Sequence, residues 1–184
     1  MTRIVAGTAR GRRLSVPPKG TRPTSDRVRE ALFSALDADP GLTGTAVLDL
    51  CAGSGALGLE ALSRGAEHAL LVESDRRAAV VLRRNVADLA LPGAVVRAAP
   101  AATVLGAPAD RAYDVVLVDP PYDLPAAEVA GWLAAATRNG WLAADAVVVV
   151  ERAARAGAFP WPEPLHPVRE RRYGDTVLHV ARST

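Results

Sequence analysis

The sequence predicts an α/β fold: a mostly parallel, doubly wound sheet of seven strands with the last strand antiparallel, preceded by a small N-terminal β-hairpin. Three observations predict it. Continuous apolar runs recur between amphipathic segments, as in strands covered by helices on both faces. A glycine-rich loop joins one such run to a helix. The last two runs are separated only by Gly174-Asp175, a hairpin signal that reverses the final strand.

The elements follow in order. Ile4-Val5 and Leu14-Ser15-Val16 read as short strands around the loop Gly7-Thr8-Ala9-Arg10-Gly11. Pro17-Pro18 and Lys19-Gly20 make a linker. Thr24-Ser25-Asp26 caps a helix with Val28, Leu32, Ala35 and Leu36 on one face, and Asp39-Pro40-Gly41 ends it. Five strands come next: Ala46–Leu50, Ala69–Glu73, one starting at Ala94-Val95-Val96, Asp114–Val118 and Ala146–Glu151. The helices between them close near Gly65, run from Asp75 to Leu89, surround Ala101 to Leu105, and run from Pro125 to Thr137. The segments Pro167–Tyr173 and Thr176–Ala181 form the closing hairpin. Residues 1–20 are expected to form a basic hairpin extension, and residues 21–184 the main domain.

At 184 residues, 49% hydrophobic and 23% charged, the chain can bury a real core. Cys51 stands alone, which excludes an intrachain disulfide and a cysteine-rich zinc site. His68, His166 and His179 are scattered without ligand spacing, so no metal is expected. No apolar stretch reaches membrane-spanning length, and the N-terminus turns basic before a signal core could form, so a cytoplasmic location is expected. Charge is uneven. Residues 1–30 hold eight basic side chains against Asp26 and Glu30, whereas the whole chain carries only +2. A basic arm on a mildly acidic body points to a polyanionic partner.

Gly53-Ser54-Gly55-Ala56-Leu57-Gly58 follows a strand and opens a helix, and Glu73 ends the next strand. Glycines let backbone approach a ligand, and the acid accepts from ribose hydroxyls, so any adenosine cofactor could use this arrangement. Asp49 narrows the choice. A carboxylate at this end of the strand is awkward beside a pyrophosphate but suits the amino group and sulfonium of S-adenosylmethionine (SAM). The chain also leaves no room for a dehydrogenase's second domain. Further on, Val116-Leu117-Val118 stops abruptly at Asp119-Pro120-Pro121-Tyr122. The two prolines cannot donate, and they fix the backbone beside the acid.

Asp49 to Gly58 resembles the SAM-binding motif of Rossmann-like class I methyltransferases. Asp119 to Tyr122 resembles the D/N-P-P-Y/F motif of those that methylate exocyclic or amide nitrogens. Arg3–Leu14 (RIVAGTARGRRL), Arg22–Ser34 (RPTSDRVREALFS) and Cys51–Arg64 (CAGSGALGLEALSR) together resemble the RsmD family, guanine-N2 methyltransferases of 16S ribosomal RNA. The similarity runs nearly end to end.

The resemblance implies a role for each motif. Asp49, Gly53, Ser54 and Gly55 would approach SAM, with Ala52 and Ser74 beside them, and Glu73 would bind the ribose. The family usually offers a polar residue near adenine, but Ala98-Ala99-Pro100-Ala101-Ala102 has none, which leaves backbone such as the Ala101 amide. The Asp119 side chain and the Pro120 carbonyl would accept the N–H groups of the amine, with Pro121 holding the turn and Tyr122 stacking on a base taken out of its helix. Arg3, Arg10, Arg12, Arg13, Arg22 and Arg27 would contact phosphates of 16S rRNA. The substrate would be an assembled or assembling small (30S) subunit, and the enzyme a monomer. Rival readings are a DNA adenine-N6 methyltransferase, a nicotinamide-dependent dehydrogenase and a non-catalytic RNA-binding module. Asp119 to Tyr122 alone fits the DNA methyltransferase too, but no separate target-recognition domain is visible and the basic hairpin is the only candidate. Neither of the other two accounts for Asp49 and the Asp119 motif together.

Overall fold

A computed structural model of the protein describes residues 2–18 and 24–184. The N-terminal arm carries β1 (Thr2–Arg3) and β2 (Arg13–Leu14), which pair antiparallel. The main sheet contains β3 (Ala46–Leu50), β4 (His68–Glu73), β5 (Ala94–Ala98), β6 (Tyr113–Val118), β7 (Leu142–Ala153), β8 (His166–Tyr173) and β9 (Thr176–Arg182). Its order is β5-β4-β3-β6-β7-β9-β8. The first five are parallel, and β9 alone runs against them, antiparallel to both β7 and β8.

The unbroken apolar runs are explained by cover on both sides. Val47, Leu71, Leu117 and Val149 face a cluster with α1 (Asp26–Ala38), α2 (Ala56–Ser63) and α3 (Arg76–Leu89). Leu48, Leu50, Val116, Val118 and Val150 face α4 (Ala101–Gly106) and α5 (Ala126–Arg138). Each such side chain, buried fully, contributes about 1.5–3 kcal/mol, so the central strands are the most strongly specified part of the chain. The helices start where their caps dictate. The Ser25 hydroxyl accepts from the Val28 N–H at 3.2 Å, and the Asp75 carboxylate from the Ala78 N–H at 2.8 Å. On the open edge, β8 is charged, exposed and bulged between Pro167 and Arg169, which disfavours pairing with another sheet.

Two expectations need correction. The arm's paired residues are 2–3 and 13–14, not 4–5 and 14–16. Past Ile4 the arm turns to the body: the Val5 and Ala6 amides donate to the Glu60 carboxylate at 2.8 and 3.0 Å, and the Ser15 amide donates to Asn85 Oδ1 at 2.9 Å. Side chains of α2 and α3 therefore take hydrogen bonds that a longer ladder would have used. Strand β7 begins at Leu142, four residues earlier than its apolar run. Its register on β6 shifts between Tyr113 and Val115, and Asp145 has φ +57°, so Leu142 to Asp145 join the strand without its apolar pattern. Ile4, Ala9 and Leu14 of the arm lie in the same buried cluster as α1 to α3. The expected boundary between residues 20 and 21 lies outside the described residues.

Candidate active site

The strand register assembles the site. Leu50 pairs with Val72 and Val118, and Val118 with Val150. The next position on each strand therefore forms a row across the sheet's carboxyl edge: Glu73, Cys51, Asp119 and Glu151. In open α/β sheets ligands bind along this edge, at the point where neighbouring strands lead to opposite faces. Here that point lies between β3 and β6.

On the β3–β4 side the acids are tied to backbone. Glu73 accepts from the Gly53 amide at 2.8 Å and from the Asp75 amide at 2.9 Å, which fixes the glycine loop against the end of β4. Asp49 is 1% exposed, and its Oδ2 accepts from the Gly58 amide at 2.9 Å. Its Oδ1 is buried with no hydrogen-bond partner. Burial pushes this carboxyl up to about 7, aided by the nearby Glu73 charge and opposed by the Gly58 bond. A β-carbon at Gly58 would stand 2.7 Å from Leu71 Cδ2 and 3.1 Å from Asp49 Oδ2, so α2 packs closely on β3 and β4 here and a larger residue would displace the Leu71 side chain. At Gly53 the reason differs. Its φ is +56°, and a β-carbon there would meet only open space, the space a ligand would fill.

That space has two lobes that share Cys51. One is lined by Val16, Pro17, Thr24, Asp49, Ala52, Gly53, Ser54 and Asp119. The other is lined by Ser74, Ala99 to Ala102, Pro121, Leu124, Glu128 and Trp132. The second lobe is mostly apolar, and the Trp132 indole N–H in its wall is buried without a partner. Glu128 thus brings a polar side chain to a lobe whose wall at Ala99 to Ala102 has none. The Cys51 thiol is pushed up to about 12 by burial and by the surrounding carboxylates, so it stays protonated and is no nucleophile.

On the β6–β7 side the acids meet a side chain instead. The Thr24 hydroxyl, just ahead of α1, lies 2.7 Å from Glu151 Oε2 and 3.2 Å from Asp119 Oδ2. Burial is the main reason that both carboxyls are held above the usual range, and Glu151 adds repulsion on Asp119. Pro120 is buried and Tyr122 is 44% exposed, at the mouth of a cavity flanked by Arg155 and Arg172. Asp49, Asp119 and the glycine loop are therefore brought together, and Tyr122 stands at the rim.

Of the arm residues, Arg3, Arg10, Arg12, Arg13 and Arg27 are all exposed. Arg3 pairs with Asp26 at 3.2 Å, and Arg12 donates to the Asp88 carbonyl at 2.6 Å. Arg22 lies outside the described residues. Two residues of the site escaped sequence reasoning. Glu151 read only as the end of a strand. Asn85, 1% exposed, donates to the Ser54 and Ser15 carbonyls, both at 2.8 Å, and so straps the arm over the glycine loop. An asparagine on the apolar face of α3, between Leu82 and Leu89, was the available signal.

The family model described as Conserved hypothetical protein 95 matches residues 2–182. The chain belongs to that family. It is 44% identical over 140 residues to the Escherichia coli K12 protein named ribosomal RNA small subunit methyltransferase D, covering 72% of this chain and 69% of that one. It is 40% identical over 124 residues to the putative rRNA methyltransferase YlbH of Bacillus subtilis, covering 65% and 66%. The solved structure of the E. coli putative methyltransferase yhhF superposes with a TM-score of 0.86 at 37% identity, over 99% of this chain and 97% of that one. The resemblance drawn from the motifs holds for the family and for its Rossmann-like methyltransferase fold.

Proposed function

We propose that the protein is a SAM-dependent methyltransferase that modifies the exocyclic N2 of a guanine in 16S ribosomal RNA, acting as a monomer on the assembled or assembling 30S subunit. The observation that carries the chemistry is Asp119, at the end of β6, lining the same lobe as Asp49 and the glycine loop. In this reading the Asp49 carboxylate serves a cationic group and the Asp119 carboxylate an amine beside it.

SAM fits this chain's residues: the partnerless Asp49 Oδ1 suits its amino group, and the open space at Gly53 admits it. When bound, it supplies an electrophilic methyl. Guanine N2 is a poor nucleophile because its lone pair is delocalised into the ring, so the protein's task is orientation. Asp119 accepts one N–H and the Pro120 carbonyl the other, which turns the lone pair toward the methyl donor. The prolines hold that carbonyl rigid, and Tyr122 stacks on the extruded base. The N2 proton lost after transfer passes to the Asp119 carboxylate. Arg10, Arg13 and Arg27 contact phosphates, so affinity falls steeply with salt.

Labelled-methyl transfer to small subunits from a strain lacking the corresponding activity, followed by nucleoside mass spectrometry, tests this reading. N2-methylguanosine in 16S rRNA is expected. N6-methyladenine in DNA would overturn it in favour of the DNA methylase. Calorimetry should give binding of SAM and not of NAD.

A further inference from the structure

The carboxyl-edge row contains one acid that neither the cofactor nor the reacting amine accounts for. Glu151 stands beyond Asp119 on the side away from Glu73 and the glycine loop. It is 7% exposed and forms no salt bridge among the described residues. Among the described residues, its side chain accepts from the Thr24 hydroxyl at 2.7 Å. A buried carboxylate without a cation is expensive, and a purely structural role at this point of the core would be served by glutamine or an apolar side chain.

Thr24 Oγ1 has a single hydrogen and two carboxylates within reach, Glu151 Oε2 and Asp119 Oδ2. It can donate to only one of them at a time. Among the described residues the pair is therefore short of hydrogen-bond donors, and Asp119 lines the lobe that Asp49 and Gly53 also line. A guanine Watson–Crick edge presents adjacent donors, the ring N1–H and the exocyclic N2–H. Adenine presents an unprotonated, accepting N1 in the corresponding place.

Resting on the function proposed above, we propose that Glu151 selects guanine by accepting its N1–H, while Asp119 accepts an N2–H of the same base and Thr24 holds the two carboxylates side by side. A purine with an acceptor at N1 places a lone pair against the Glu151 carboxylate and is rejected. Burial raises both carboxyls, and a protonated Glu151 can itself donate to an acceptor at N1, so the preference for guanine belongs to the ionised pair and is measured on the alkaline side.

The test pairs a protein change with a base change. Small subunits are reconstituted with either guanine or 2-aminopurine at the methylated nucleotide. The analogue keeps the N2 amine but has an unprotonated N1. Methyl transfer to each is measured with wild type and with Glu151→Gln, whose amide can donate to that nitrogen. Wild type should prefer guanine, and Glu151→Gln should shrink that preference by about 10- to 100-fold, the usual discrimination from one well-placed base contact. SAM affinity, measured by calorimetry, should stay unchanged and so verify that the variant is folded. An equal slowing on both substrates, or an unchanged preference, would overturn the assignment and leave Glu151 a packing residue. No transfer by wild type to guanine N2 would instead defeat the proposed function itself.

Discussion

The two halves of the sheet's carboxyl edge carry the same kind of side chain and commit it differently. Over β3 and β4, Asp49 and Glu73 spend their oxygens on the backbone amides of Gly58, Gly53 and Asp75. Over β6 and β7, Asp119 and Glu151 share the hydroxyl of Thr24. Acids fastened to amides shape a loop and present one leftover oxygen, as Asp49 does. Acids sharing a single hydroxyl keep most of their acceptor capacity for whatever arrives. On the function proposed above, the first arrangement serves as a mould for one fixed cofactor, and the second as a receiver for N–H groups that come and go. The division predicts that damage to one half should leave the other's function standing.

The largest effect is expected at Asp119. Asp119→Ala should lower single-turnover methyl transfer by about 10²- to 10³-fold, the range seen when one preorganised polar contact to a reacting group is lost. SAM affinity measured by calorimetry should hardly move. Stability should move the other way. Because burial and Glu151 raise the Asp119 carboxyl in the folded state, the folded protein binds a proton more readily than the unfolded chain. Its ionisation destabilises the fold as pH rises through that raised value. Removing it should therefore raise Tm, more at pH 8 than at pH 5. Near-normal turnover, or a collapse of SAM binding with it, would erase the distinction between the halves.

The two halves were also unequally legible in the sequence. Gly53 to Gly58, Asp49 and Glu73 lie within one βαβ unit, so their order along the chain already encodes their proximity. The central strands were equally plain, because a strand buried on both faces has no polar alternation to disguise it. The β6–β7 half announced only Asp119 to Tyr122. Thr24 reaches Glu151 across 127 positions, and only the register of β6 on β7 reveals that Glu151 stands next to Asp119. The arm hid its pairing for a related reason. Whether Val5 and Ala6 continue a ladder is decided by the Glu60 carboxylate of α2, which local propensity cannot register.

The next largest effect belongs to the cofactor half. Asp49→Asn keeps the shape and an acceptor for the Gly58 amide but removes the charge. SAM affinity should fall about 10- to 100-fold, the worth of a hydrogen bond to a charged group. Saturating SAM should then recover most of the transfer rate. Wild type carries a related pH signature. The Asp49 carboxyl is raised to about 7 in the free protein, and a cationic ligand favours its ionised form. Binding thus releases a proton below that value. Calorimetric affinity for SAM should be flat above pH 7 and fall about tenfold per pH unit below it, and Asp49→Asn should abolish the slope. A slope that persists in the variant would move the titration to another group and weaken the case for Asp49.

The smallest effect tests the boundary itself, because Thr24 lines the cofactor lobe yet bonds to the acids of the other half. Its hydroxyl lowers the carboxyls of both Asp119 and Glu151 against the stronger upward push of burial. Thr24→Val keeps the volume and removes that bond, so both carboxyls should rise further. The acid limb of kcat/KM for transfer should then shift to higher pH. On the alkaline side of that limb, where the rate no longer depends on pH, the loss should be about fivefold, the worth of one ordinary hydrogen bond. SAM affinity and its slope below pH 7 should be retained, since they depend on Asp49. If the substitution weakened SAM binding and left the acid limb in place, Thr24 would belong to the cofactor half. Asp119 and Glu151 would then be two separate buried acids rather than one receiver.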